Sequence, residues 1–140
     1  SLKDIGEGYD ILTLLQPTQP LRNNLDLDNA LEFFIKNKSR SVASICRVEN
    51  NPSLIRIMMG NKLTNLINKK SDSRRQDMDK YYYVNGAIYI NLISKINKDT
   101  SFNDNEFGYI MPKNRSIDID TGIDLLVAET ILSNNYEQHK

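Results

Sequence analysis

Cysteine, histidine and tryptophan are almost missing from this 140-residue chain, which holds one cysteine, one histidine and no tryptophan. The single thiol, Cys46, excludes an internal disulfide and fits a reducing compartment. The single imidazole, His139 beside the C-terminus, argues against a histidine-clustered metal site or a serine–histidine–aspartate triad. Excess charge of one sign is missing too. Lys+Arg number 18 and Asp+Glu 18, whereas a dedicated nucleic-acid binder usually carries a basic surplus. No apolar run approaches the roughly 20 residues that cross a bilayer, and Ser1-Leu2-Lys3-Asp4 does not read as a signal peptide, so a cytoplasmic protein is expected. What is present is 39% hydrophobic and 26% charged residues, the makings of one soluble domain. Its chemistry must rest on carboxylates, arginines, amides and tyrosines.

Along the chain, Tyr9 to Leu15 is a continuous apolar run that reads as a buried strand. It ends in Gln16-Pro17-Thr18-Gln19-Pro20, where two prolines forbid both helix and ladder. Leu27, Ala30, Leu31 and Phe34 have the spacing of one helix face and predict a helix over Leu25–Asn37, with Asn24 or Asp26 as cap. Ser41 to Val48 alternates as a second strand, so the three pieces form a βαβ unit with parallel strands and a right-handed crossover. Gly60-Asn61, between Leu54–Met59 and Lys62–Ile67, signals a hairpin with a two-residue turn. Asn68 to Lys80 is polar throughout and reads as an exposed loop. Tyr81 to Ile90 (YYYVNGAIYI) is strand-like, its Gly86 marking a bulge or a close backbone approach. Leu92–Ile96 reads as a short helix, and Phe107–Met111 is a short apolar run stopped by Pro112. At the end, Ile123, Leu126, Val127 and Ile131 predict a helix from Gly122 to about Asn134. Thr121 and Asp124 resemble its capping box. The fold class is α/β, one unit with a hairpin-containing insertion.

Four places could carry chemistry. In Ser116-Ile117-Asp118-Ile119-Asp120, read as a strand, residues two apart share a face, so Asp118 and Asp120 point one way and Ile117 and Ile119 the other. Two carboxylates so placed suit a hard cation such as magnesium; equally, they suit a solvated strand end that caps the next helix. The loop Gln16–Arg22 leaves the carboxyl end of a strand, where open α/β sheets bind ligands. Gln16 offers a paired donor and acceptor there, and Arg22 can hold an anion or pair with a carboxylate; a proline-shaped connection is the plain alternative. Lys69, Lys70, Arg74 and Arg75 precede Tyr81, Tyr82 and Tyr83, but Asp72, Asp77 and Asp79 interrupt the charge. That reads as a solvated loop or an arginine that receives a carboxylate, and not as a nucleic-acid site. Asn85 and Tyr89 lie four apart on one strand and share a face, either in a pocket or at the edge of the core. Cys46, mid-strand and without a histidine partner, reads as a buried apolar residue.

Three of these motifs occur in one order: LLQPTQPLR, RRQDMDKYYYVNGAIYI and SIDIDTGIDLLVAETIL. Together they closely resemble the acylneuraminate cytidylyltransferase family, the CMP-sialic acid synthetases, from Tyr9 to Leu132. The resemblance implies a Rossmann-like nucleotidyltransferase sheet flanked by helices. It implies transfer of CMP from CTP to the anomeric hydroxyl of a nine-carbon 2-keto sugar acid, with Mg2+ (or Mn2+) as cofactor. Residue by residue, Asp118 and Asp120 match the family's metal aspartates, and Gln16 the glutamine that contacts the acceptor sugar. Arg75 matches the arginine associated with the sugar-acid carboxylate. Tyr89 and Phe102 match residues of the acceptor pocket, and Asn85 a pocket or backbone-supporting residue. Arg22 belongs to the motif in a structural role. A homodimer is implied, its insertion running roughly from Pro52 to Lys80, in a cytoplasmic enzyme of capsule or lipopolysaccharide synthesis with no nucleic-acid or membrane partner.

Two departures stand out. Some relatives place a lysine after the third strand; Asn50 to Arg56 has none, and Arg56 is the available cation, with a different geometry. The family's glycine-rich basic loop that grips the CTP phosphates has no counterpart before Tyr9. Residues 1–140 are therefore read as the C-terminal portion of the cytidylyltransferase domain, inactive on its own. The alternative is a non-catalytic sugar-acid-binding or dimerisation module of the same fold.

Overall fold

The computed structural model describes residues 8–50, 52–67 and 79–137, with side chains described to residue 134. It has two compact units, Ser1–Cys46 with Val84–Lys140, and Arg47–Tyr83. The architecture is mixed α/β.

The first unit is built on a four-stranded sheet, in spatial order β1 (Ile11–Leu14), β5 (Tyr82–Leu92), β2 (Ser41–Arg47), β6 (Phe107–Ile110). β1 pairs antiparallel with β5 and β2 parallel with β6. Between β5 and β2 the chain pairs Leu92 N–H with the Arg40 carbonyl at one end and Val48 N–H with that of Tyr81 at the other, which is antiparallel. β1 and β2 therefore run parallel, as expected, but β5 lies between them in the opposite sense. Periodicity predicts strands; it does not predict which strand slips in between.

Several boundaries and environments differ from expectation. β1 is shorter than Tyr9–Leu15 and is not buried: it is an edge strand, with Ile11 and Leu14 half-exposed. β5 is the buried one, Asn85 to Asn91 all being inaccessible, which suits a strand with neighbours on both edges. Helix α1 (Asn24–Lys36) is capped by neither Asn24 nor Asp26. Asn23 is its N-cap: the Asn23 side chain accepts from Asp26 N–H and the Asp26 carboxylate accepts from Asn23 N–H, a full capping box. Its apolar face is as expected: Ala30 and Phe34 enter the core with Val42, Ala87, Ile88, Ile90 and Met111, and Leu27 and Leu31 pack beside them. Cys46 is buried.

Residues Ser116–Asp120 are not a strand. They have no ladder partner beyond one bond, from Ile119 N–H to the Thr18 carbonyl at 2.9 Å. The alternation survives all the same, with Asp118 and Asp120 exposed and Ile117 and Ile119 half-buried. Helix α2 (Gly122–Glu137) follows. The Thr121–Asp124 box forms, the Asp124 carboxylate accepting Thr121 N–H at 2.8 Å. The expected apolar face of α2 is not buried: Ile123 is 74% and Leu126 63% exposed, and Ala128 alone of its described side chains is buried. Apolar residues on α2 surround the whole helix, so no single stripe seats it.

In the second unit, Pro52–Leu54 forms a turn of 3₁₀ helix and β3 (Arg56–Met59) pairs with β4 (Lys62–Asn65). Met59 faces Lys62 across the two-residue turn expected at Gly60-Asn61. Gly60 has φ +60° and Asn61 does not share it, the type II′ pattern that a first-position glycine allows.

Candidate active site

The site grows from the strand end at Gln16. Pro17 and Pro20 keep the next residues out of any ladder, and Arg22 then shapes the loop from within. Its guanidinium donates to the carbonyls of Gln16 and Gln19, both at 2.6 Å, and its burial lowers its affinity for a proton. Arg22 is thus spent on backbone, in keeping with a structural role. Gln19 points inward and is fully buried.

Gly86 receives Gln16. It has φ +76°, a conformation that side chains with a Cβ rarely adopt. A Cβ there would land on Oε1 of Gln16 and would come within 3.7 Å of the Tyr89 hydroxyl. The close approach expected at Gly86 is therefore real, and what approaches is the Gln16 amide. Tyr89 is buried, donates its hydroxyl proton to Oδ1 of Asn103 at 2.6 Å, and tilts against Phe102 with ring centroids 6.0 Å apart. Burial, and then the negative charge of Asp118, raise its hydroxyl above the usual tyrosine value. Gln16, Gly86, Tyr89, Phe102, Asn103 and Asp118, from four separate stretches of chain, thus come together in the first unit.

Asn85 plays a different part from Tyr89. Fully buried, it accepts from the Ser44 hydroxyl at 2.5 Å, donates to the Ser116 hydroxyl at 2.8 Å, and accepts from Ala87 N–H at 3.2 Å. Ser44 in turn accepts Ile88 N–H. Asn85 therefore ties β2, β5 and the start of the acidic segment together.

The carboxylates divide by employment. Asp124 is committed to the helix cap: bonds from the Thr121 hydroxyl, then from Thr121 N–H and Asp120 N–H, hold it below the ordinary carboxylate value. The carboxylates of Asp118 and Asp120 make no hydrogen bond or ion pair among the described residues. Two exposed, unengaged oxygen ligands fit magnesium, which commonly takes one or two carboxylates and fills the rest of its shell with water and phosphate. Among the described residues there is no group of three or more acidic, histidine or cysteine side chains that could enclose a metal by themselves.

In the second unit, Arg56 donates to the carbonyls of Ser53 and Ile55, which occupies part of the cation that could replace the family's lysine. Arg75 and its basic neighbours lie outside the described residues. Asn103 and Arg115 were not singled out by sequence. Neither sits in a periodic pattern, and the only signal for Asn103 was its place beside Phe102.

No family model matches the chain, but curated proteins do. An N-acylneuraminate cytidylyltransferase of Streptococcus agalactiae is 32% identical over 130 residues, covering 89% of this chain and 32% of that protein. A pseudaminic acid cytidylyltransferase of Campylobacter jejuni is 30% identical over 138 residues, 97% of this chain and 60% of that protein. The chain is a relative of these cytidylyltransferases. A CMP-N,N'-diacetyllegionaminic acid synthase of Legionella pneumophila agrees, at 31% over 92% of the chain and 56% of that protein. The resemblance read from the three motifs is therefore borne out. This cytidylyltransferase relative spans about a third of the streptococcal protein and somewhat over half of the other two. No helix among its described residues is long and apolar enough to cross a membrane.

Proposed function

We propose that the protein acts in transfer of CMP from CTP to a nine-carbon 2-keto sugar acid, and that this chain carries the acceptor pocket and the metal carboxylates. The observation that carries the reading is the convergence of Gln16, Tyr89 and Phe102 with Asp118, at the glycine that lets Gln16 in. In the transfer the anomeric oxygen attacks the α-phosphorus, the bond to the β-phosphate oxygen breaks, and pyrophosphate leaves. Asp118 and Asp120 would hold Mg2+ (or Mn2+), which supplies charge neutralisation on the phosphates. Gln16 presents an amide to the acceptor. Tyr89, its proton committed to Asn103, offers oxygen lone pairs to an acceptor hydroxyl or N–H, and Phe102 covers the tyrosine ring. Arg75, from the family motif, would bind the sugar-acid carboxylate bidentately. The sheet is read as the Rossmann-like nucleotidyltransferase sheet, and residues 52–80 as the insertion through which a homodimer forms.

Pyrophosphate release with CTP, MgCl2 and N-acetylneuraminic, pseudaminic or legionaminic acid tests this. The 140-residue polypeptide is expected to bind the acceptor without turnover. A longer chain extended to the length of its relatives should turn over, and Asp120→Asn in it should lower the rate on the order of 100-fold or more. Near-normal turnover by that variant places the metal elsewhere, and failure of any sugar acid to bind overturns the acceptor reading.

A further inference from the structure

The segment carrying Asp118 and Asp120 lacks a ladder, yet it is tied down at three points. Ile119 N–H reaches the Thr18 carbonyl. The Ser116 hydroxyl accepts from Asn85 and donates to the Pro112 carbonyl at 2.9 Å. The third tie is Arg115, immediately before Ser116. Its Nε donates to Oδ2 of Asp26 at 2.7 Å and its Nη2 to Oδ1 at 2.8 Å. Asp26 is 1% exposed, and its Oδ2 also accepts Asn23 N–H at the head of α1. One buried carboxylate is thus shared between a helix cap and the approach to the acidic pair.

The capping box is complete without an arginine, so capping does not account for Arg115. A carboxylate removed from water needs charge-assisted donors on both oxygens. A planar fork supplies them and also fixes orientation, which the point charge of a lysine does not. We propose that Arg115 is a positioning residue: its fork on Asp26 fixes the register of the segment that carries Asp118 and Asp120 and ties it to the first turn of α1. The proposal rests on the reading of those two aspartates as metal carboxylates.

Amide hydrogen exchange by NMR on the full chain, with MnCl2 as a paramagnetic probe, tests it. In Arg115→Lys, amides 117–120 should exchange about tenfold faster, amides of β2 should be unchanged, and more Mn2+ should be needed to broaden signals 118–121. In Asn23→Ala, which removes a cap side chain and leaves the Arg115 fork, the melting temperature should drop with no change at 117–120. Wild-type exchange and Mn2+ response in folded Arg115→Lys overturn the proposal, as does an equal loosening in Asn23→Ala. Should Arg115→Lys not fold, Asp26→Asn is read by the same measures, and if neither folds the pair is structural and the proposal falls. Unaltered Mn2+ broadening in Asp118→Asn/Asp120→Asn overturns the metal reading alone, because the exchange comparison still decides positioning.

Discussion

The sheet-bearing unit and the hairpin unit treat apolar side chains in opposite ways. In the first, β5 is sealed from Asn85 to Asn91, and Ala30 and Phe34 of α1 close over the sheet. In the second, Ile57, Met58, Met59 and Leu63 are between 45% and 73% exposed. A two-stranded hairpin is at best marginal by itself, and among the described residues its apolar side chains do not make a core. Apolar side chains therefore serve stability in the first unit and lie open in the second, where the proposed dimer contact would use them. Helix α2 blurs the division, since it belongs to the sheet unit and still exposes Ile123 and Leu126.

The comparison breaks most directly in the core. Ile88→Ala, at a position with no exposure, should lower unfolding free energy by about 3 kcal/mol. Ile57→Ala in the hairpin should change it by less than ~0.5 kcal/mol, and urea midpoints of the pair that moved together would erase the contrast. Gly86→Ala should come next, at about 1–2 kcal/mol for the left-handed backbone. Its larger effect is functional, because the new Cβ displaces the Gln16 amide; calorimetry should find acceptor binding lost while the circular dichroism spectrum is kept. On the hairpin, Met58 and Leu63 are directly opposed, so Met58→Asp should weaken self-association about tenfold or more, roughly 1.4 kcal/mol. Sedimentation that shows the same oligomeric state for both proteins would remove the dimer role from this face.

The smallest effect is electrostatic. Burial and the Asp118 charge raise the Tyr89 hydroxyl above its ordinary 10.0. The folded chain then holds that proton more tightly than the unfolded chain, so its contribution is intact below pH 10 and is lost as pH rises through the raised value. Tyr109 is raised too, first by burial and then by Asp26. Tyr89→Phe should therefore remove only part of the stability loss above about pH 10, measured as a flatter series of urea midpoints.

What local physics writes into a sequence was legible. The face of α1, the two-residue hairpin turn and the Thr121–Asp124 box all depend on neighbours a few residues away, and Gly86 showed that something comes close without showing that it is Gln16. Partnerships over long separations were not. Nothing in Tyr9–Leu15 says that its neighbour is antiparallel and leaves it at an edge. An unpaired extended segment alternates just as a strand does, so Ser116–Asp120 passed for one. Asp26 looked like a cap candidate and became a cap partner, both its oxygens also held by an arginine far along the chain. On the site, the family resemblance named Gln16, Tyr89, Phe102 and Asp118, but Asn103 carries no pattern by which chemistry alone would choose it.

The bond from Ile119 N–H to the Thr18 carbonyl joins two stretches about a hundred residues apart. Closing a flexible loop of that length costs about 4 kcal/mol of chain entropy, and no local structure offsets it early. This contact belongs to the slow, long-range part of folding. During synthesis, a nascent chain that has already made α1, β2 and β5 still lacks this tie, because Ile119 leaves the ribosome about a hundred residues after Thr18. Placement of the acidic pair is therefore decided late, after the helix and strands it leans on have been made.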